Sequence, residues 1–155
     1  MTFDLMNELS VEALIPHRGA MRLIDRVITI DEECAVAEAD VALDGLFAVD
    51  GRVPAWVGIE FMAQTVAAWS GARAQHEGPP KMGLLLGSRR YTAHCESFAC
   101  GTTLRIEARC ELMGVNGLGL FACRILHAEQ EMVTATISVF EPDDAMAFLA
   151  AGAAP

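Results

Sequence analysis

One ionisable side chain stands inside the longest apolar stretch of the sequence. Between Pro54 and Ala72, Glu60 is the only residue that can carry a charge, and Gln64 follows it by four positions. Burial favours the protonated form of a carboxyl group, which suits a general acid or base at neutral pH. We predict that Glu60 is catalytic and that Gln64, on the same helical face, contacts the same substrate. The alternative is that Glu60 points to solvent and does no chemistry.

The beginning of this stretch contains three candidates for substrate binding, Trp56, Val57 and Gly58. Trp56 could line an apolar tunnel, although apolar residues at helical spacing more often belong to the core. A glycine weakens a helix but allows a ligand or another backbone to approach closely. We predict that the amides of Val57 and Gly58, at the helix N-terminus, polarise a carbonyl group of the substrate.

The elements that must position these residues follow from periodicity and turn signals. A short helical turn is expected at 11–14, and one long helix from Pro54 to about Gln75 that is apolar or small on nearly every face. A short tail helix is expected at 143–150, and the tail beyond it should fray. Strands are expected at 22–30, 34–41, 82–94, 103–113, 118–127 and 132–140, with a long loop at 42–53. The order predicts one α+β domain over residues 1–155, with an antiparallel sheet of five to six strands around a central helix.

Charge and composition exclude several classes of partner. The 155 residues are 53% apolar and have a formal net charge of -10, which disfavours binding to nucleic acid or to an anionic membrane. The high apolar content favours oligomerisation instead. Five cysteines without a Cys-x-x-Cys pair indicate reduced thiols, no metal site and no cofactor. The sequence begins without a basic and apolar leader, so a cytoplasmic protein is expected.

Several motifs together resemble one known family. Ile15-Pro16-His17-Arg18, followed by the segment LIDRV at 23–27, resembles the opening of the bacterial 3-hydroxyacyl-ACP dehydratases, the FabZ/FabA superfamily. The segment PAWVGIEFMAQ at 54–64 resembles their central helix, and the strands at 87–90 and 101–104 follow the same layout. The dehydratase-like proteins of aryl polyene biosynthesis, the ApeP type, are the most similar.

This resemblance implies a hotdog fold and an acyl thioester of acyl carrier protein or coenzyme A as substrate. It also implies a dimer whose sheet continues across the subunits, with a substrate tunnel at their interface. Arg89 and Arg90 are candidates for contacting the phosphate of the pantetheine arm or of the carrier protein, although adjacent arginines are commonly just a solvated strand edge.

One departure from the family puts the activity in question. The dehydratases carry a catalytic histidine in a Gly-His-Phe-Pro stretch shortly before the helix, where this sequence has Leu46-Phe47, and no histidine lies between His17 and His76. His17 itself is expected to brace the first strand rather than to catalyse. Dehydration needs both a base and an acid, and the sequence offers only Glu60.

Three hypotheses therefore stay open. The chain could complete a dehydratase site with a second, histidine-bearing hotdog subunit, as a heterodimer rather than a homodimer. It could be a thioesterase in which Glu60 acts on water or as a nucleophile. It could also be a non-catalytic subunit that stabilises a dehydratase.

Overall fold

The computed structural model describes residues 10–74 and 83–153. The three helices in this part of the chain are α1 (Val11–Leu14), α2 (Gly58–Arg73) and α3 (Ala145–Ala153). The strands are β1 (Arg26–Ile30), β2 (Cys34–Asp40), β3 (Arg52–Pro54), β4 (Leu84–Ala93), β5 (Ser97–Ala99), β6 (Thr103–Met113), β7 (Leu118–His127) and β8 (Gln130–Phe140).

The expected order of two strands, one long helix and four further strands is confirmed, with differences at the boundaries. β1 begins at Arg26 rather than at residue 22, because residues 19–21 form a 3-10 turn and the chain is not yet paired. Part of the expected loop forms β3, which pairs with the short strand β5. α2 begins at Gly58, after a 3-10 turn at residues 55–57, and α3 continues to Ala153, into the tail expected to fray.

Six of the strands form one antiparallel sheet in the order β1-β2-β6-β7-β8-β4. Alternate residues of a strand point to opposite faces, so every second side chain can be buried. In β2 these are Ala35, Ala37 and Ala39, each at most 1% exposed. β6, β7 and β8 repeat the alternation, which gives the sheet one apolar face.

Helix α2 packs against this apolar face and contacts β1, β2, β6, β7 and β8. Its buried side chains include Met62, Val66 and Trp69, and the Trp69 ring meets Phe121 of β7 edge-on, with 5.3 Å between ring centroids. A central helix wrapped by an antiparallel sheet is the expected hotdog arrangement.

The prediction that α2 is buried on nearly every face is only partly correct. A strip of half-buried residues, Glu60, Ala63, Ala67 and Ser70, runs along the helix at intervals of three and four positions. Residues at these intervals share one face. One face of α2 is therefore accessible in the single chain.

Helix α1 crosses α2 at Gly71. A Cβ atom at Gly71 would collide with the backbone carbonyl of Leu14, so only glycine permits this approach. The crossing fixes the end of α1 and directs the following segment, from Ile15 onward, along the N-terminal half of α2.

Within the described residues, no helix has the length and apolar character needed to cross a bilayer.

Candidate active site

Glu60 lies in the first turn of α2 and borders a groove of about 150 Å³ between this helix and the adjoining ends of β4 and β8. Its side chain is 27% exposed in the single chain, so the carboxylate is at the surface of the groove and not enclosed by the core. The described residues that line the groove are His17, Glu60, Ala63, Val66, Ala67, Ser70, Gly83, Leu84, Leu85, Val139, Phe140 and Glu141.

Gln64 holds Glu60 from the buried side of the helix. Its Nε2 donates hydrogen bonds to Oε1 of Glu60 at 3.0 Å and to the carbonyl of Met21 at 2.7 Å. Its Oε1 accepts from the backbone N–H groups of Leu23 and Ile24 at 2.8 and 3.4 Å. Both amide protons and both oxygen lone pairs are thereby used. These bonds favour a positioning role for Gln64, and the predicted contact with substrate stays a prediction.

His17 lies beside Glu60, with 3.5 Å between its Nε2 and Oε1 of the carboxylate. The neighbouring Arg18 fixes this segment, because its guanidinium donates to the carbonyls of Glu12, Ile15 and His17 at 2.6 to 2.8 Å. The sequence predicted that His17 braces the first strand, and the structure instead brings it to the carboxylate.

The surroundings of His17 favour its neutral form. Burial lowers the pKa of the imidazole, nearby Glu60 opposes this effect, and Arg18 adds to it. The Nδ1 atom of His17 is buried and has no hydrogen-bond partner among the described residues. A neutral imidazole near neutral pH can accept a proton from a substrate.

The Glu60 carboxylate has one oxygen that its described neighbours leave free. Both contacts to Glu60, from Gln64 and from His17, involve Oε1, and no described residue hydrogen-bonds to Oε2. A carboxyl group and an imidazole side by side can exchange two protons with one ligand, which is the requirement of acid–base catalysis. Only the Pro-His-Arg motif could have pointed to His17, since contact over this sequence distance depends on the fold.

The three predicted binding residues at the helix start, Trp56, Val57 and Gly58, do not line the Glu60 groove. The amide of Gly58 donates to the carbonyls of Ala55 and Trp56, so the prediction that it polarises a substrate carbonyl is wrong. A Cβ at Gly58 would collide with the hydroxyl of Tyr91, which donates to the Ala55 carbonyl, so a side chain and not a ligand requires this glycine. Val57 is 1% exposed and belongs to the core.

Trp56 is 64% exposed and does not border the Glu60 groove. Its ring meets Phe47 edge-on at 6.2 Å. Leu46 and Phe47, which occupy the position of the family's catalytic histidine, line a separate cavity of about 320 Å³ together with Val57 and Phe61. In the single chain, this loop therefore does not supply a side chain to Glu60.

Arg89 and Arg90 are exposed residues of β4. Arg90 has a positive φ of 55° at an irregularity in the pairing of β4 with β8, and its side chain lines a cavity of about 630 Å³ with Arg109 and Arg124. This cavity shares no residue with the Glu60 groove. We assign the candidate active site to the smaller groove, because it contains the paired acid–base groups.

Four of the cysteines are poorly suited to act as nucleophiles. Burial raises the pKa of Cys123 to about 12, and it also raises the pKa values of Cys34, Cys95 and Cys110. A thiol with a raised pKa is a poor nucleophile at neutral pH. No group of three or more histidine, cysteine, aspartate or glutamate residues is arranged to hold a metal ion in the described part of the chain.

Comparisons with known proteins agree with this fold. Residues 9–150 match a family described as ApeP-like, ApeP dehydratase. The solved dehydratase heterocomplex ApeI:P from Xenorhabdus doucetiae contains a chain that is 25% identical, with a TM-score of 0.86, over 96% of this chain and 100% of that one. A search of curated proteins finds no significant match.

Two more distant structures support the fold alone. A hypothetical thioesterase with coenzyme A from Streptococcus pneumoniae TIGR4 is 14% identical, with a TM-score of 0.56, over 75% of this chain and 84% of that one. The uncharacterised protein PH1136 from Pyrococcus horikoshii is 12% identical, with a TM-score of 0.63, over 90% of this chain and 98% of that one.

Proposed function

Because the chain belongs to the ApeP-like dehydratase family, we propose that it dehydrates 3-hydroxyacyl thioesters, with Glu60 as one of the groups that transfer protons. In this reaction a proton leaves C2 and the C3–O bond breaks. The hydroxyl then takes a proton and departs as water, and a C2=C3 double bond forms.

The observation that carries this proposal is the position of Glu60. Its carboxylate borders a groove whose walls include Leu84, Val139 and Phe140, surfaces suited to an acyl chain. Gln64 fixes one carboxylate oxygen and leaves the other without a described hydrogen-bond donor. A fixed carboxyl group beside an apolar groove is placed to act on the polar end of an acyl substrate.

We further propose that a second hotdog chain completes the molecule. The similar chain from Xenorhabdus doucetiae is part of the dehydratase heterocomplex ApeI:P. β4 is the last strand of the sheet and pairs on only one side, with β8, among the described residues. Leu85 and Leu86 of β4 are 38% and 56% exposed. An exposed edge with apolar residues is suited to pairing with a further strand.

The carrier of the acyl group is proposed to be acyl carrier protein or coenzyme A. Arg89 and Arg90 lie on the same strand as the proposed interface. Pairing along β4 would place both arginines at the junction of two subunits, where they could contact a phosphate of the carrier.

Hydrolysis of an acyl thioester is the second candidate. A carboxylate with one oxygen unoccupied by protein donors can also activate a water molecule. In a third possibility, the chain only stabilises its partner and the groove has no turnover.

The experiment compares Glu60→Gln with wild-type protein on matched 3-hydroxyacyl and saturated acyl pantetheine thioesters. Wild-type protein should form the 2-enoyl thioester, and Glu60→Gln should lower kcat/KM by about 10²- to 10⁴-fold, the usual contribution of an acid–base group. Glu111→Gln, a change on the exposed part of β6, is the matched control and should keep full activity. Release of free thiol without enoyl product would identify a thioesterase, and no turnover by any variant, with or without a partner, would indicate a stabilising subunit.

A further inference from the structure

We propose that His17 is the second proton-transfer residue of this groove, so that one chain supplies both the base and the acid for the dehydration. The inference rests on the proposed function, and it assigns the group that the sequence lacks at Leu46-Phe47. It removes the need for a histidine from a partner subunit.

Separate sets of contacts hold Glu60 and His17 next to each other. Glu60 is fixed to α2 and to Gln64, whereas His17 is fixed by the three carbonyl contacts of Arg18. Both side chains border the same groove, and 3.5 Å separates Nε2 from Oε1. Two reactive groups at this separation can address neighbouring carbon atoms of one substrate.

The groups around the imidazole favour its role as the base. Among the described residues, Glu60 on α2 and Arg18 on its own segment act on the imidazole. Glu141, after β8, lines the same groove and bonds to Ser70. Burial is the largest influence on the pKa of His17 and lowers it. A neutral imidazole is available to accept a proton, and the proposal requires that the carboxyl group of Glu60 supplies the other proton.

The reaction balances within the pair. Nε2 of His17 takes the C2 proton, and the electrons of the C2–H bond form the C2=C3 double bond as the C3–O bond breaks. Oε2 of Glu60 gives its proton to the departing hydroxyl, which leaves as water. The imidazolium then returns a proton to the carboxylate, across the short distance between Nε2 and Oε1, and exchange with water brings a proton to Oε2, which restores the pair.

The test separates removal of the C2 proton from loss of water. The full chain, in whatever assembly it forms on expression, is incubated in heavy water with a saturated acyl pantetheine thioester. Mass spectrometry then follows deuterium at C2. The 3-hydroxyacyl thioester is followed in parallel for formation of the enoyl product, and a melting curve checks that each variant is folded.

His17→Gln should lose deuterium exchange and lower kcat/KM for dehydration by about 10²- to 10⁴-fold. Glu60→Gln should retain exchange and lose dehydration. The wild-type rate should fall at acid pH, as His17 gains a proton below its ordinary range, and this acid limb should be absent from the residual activity of His17→Gln. His94→Gln, a change at an exposed histidine outside the groove, is the matched control and should behave as wild type.

Two results would overturn the inference, and a third would overturn the proposed function. If wild-type protein dehydrates and folded His17→Gln does so equally well, His17 is not the base, although the proposed function still stands. If Glu60→Gln loses deuterium exchange together with dehydration, the roles of the two residues are assigned wrongly, even where His17→Gln does not fold. If wild-type protein only hydrolyses thioesters, the proposed function itself fails.

Discussion

At the scale of single residues, the candidate site depends on a buried amide. The side chain of Gln64 is fully buried and joins α2 to the segment that precedes β1 through its bonds to Met21, Leu23 and Ile24. The same amide holds Glu60. Gln64 therefore links the stability of the fold to the position of the carboxylate.

Gln64→Leu should lower both stability and activity. The change leaves the N–H groups of half-buried Leu23 and buried Ile24 without this acceptor, and an unsatisfied buried group costs about 1–3 kcal/mol. Denaturant unfolding should report the loss, and turnover should fall because Glu60 loses its donor. Thr65→Val is the matched control, since the Thr65 hydroxyl donates only to the Phe61 carbonyl of its own helix. Equal stability of the two variants would contradict this account.

Single residues also show which parts of the candidate site could not be predicted from the sequence. Glu60 could be found from the sequence because a single charge interrupts an apolar helix, and Gln64 could be found from its spacing. His17 could be named but not placed, because its distance from Glu60 depends on how the segment after α1 folds back along α2. The predicted role of the Gly58 amide failed because a 3-10 turn precedes α2 and uses that donor.

At the scale of elements, the crossing of α1 over α2 sets the position of the histidine. Gly71 allows the Leu14 carbonyl to approach the α2 backbone, and His17 follows Leu14 by three residues. The succession of strands along the chain could be predicted from alternation and turns, whereas this crossing could not, because α1 is only four residues long and carries no strong periodicity.

Gly71→Ala should displace α1 and with it His17. The added methyl group collides with the Leu14 backbone, and overpacking of this kind costs about 1–3 kcal/mol. We expect a lower free energy of unfolding and reduced dehydration at temperatures where the variant is still folded. Gly152→Ala, in α3, is the matched control, because a Cβ added there would meet nothing within 4 Å and alanine favours a helix. If the crossing of α1 over α2 does not contribute to stability, both variants should be equally stable.

At the scale of the whole molecule, exposed apolar surface indicates incomplete assembly. The accessible strip of α2, the groove beside it and the edge of β4 that no described strand pairs with all lie near Leu84 and Leu85. A second chain seated along β4 would cover the groove and lengthen the channel for an acyl chain. The high apolar content of the sequence predicts a partner, whereas the strand that we propose as the interface could be named only from the structure.

Leu86→Lys should weaken this assembly without unfolding the chain. Leu86 is 56% exposed on β4, and a charged residue on an edge strand opposes pairing with another strand. Sedimentation velocity should show the wild-type chain assembled, either with a second copy or with a coexpressed hotdog partner, and Leu86→Lys shifted toward the monomer. Val115→Lys, in an exposed turn, should assemble as wild type. Full assembly of Leu86→Lys would place the interface elsewhere.

The anchoring of Arg18 has a consequence for how the protein tolerates change. Its guanidinium donates hydrogen bonds to the main-chain oxygens at positions 12, 15 and 17, and every amino acid provides such an oxygen. These hydrogen bonds therefore place no requirement on the exposed side chain at position 12, as long as the backbone keeps its path, whereas Ile15 is also needed for packing because it is buried in the core. Replacement of Arg18 itself, even by lysine, would remove the planar fork that reaches all three oxygens at once.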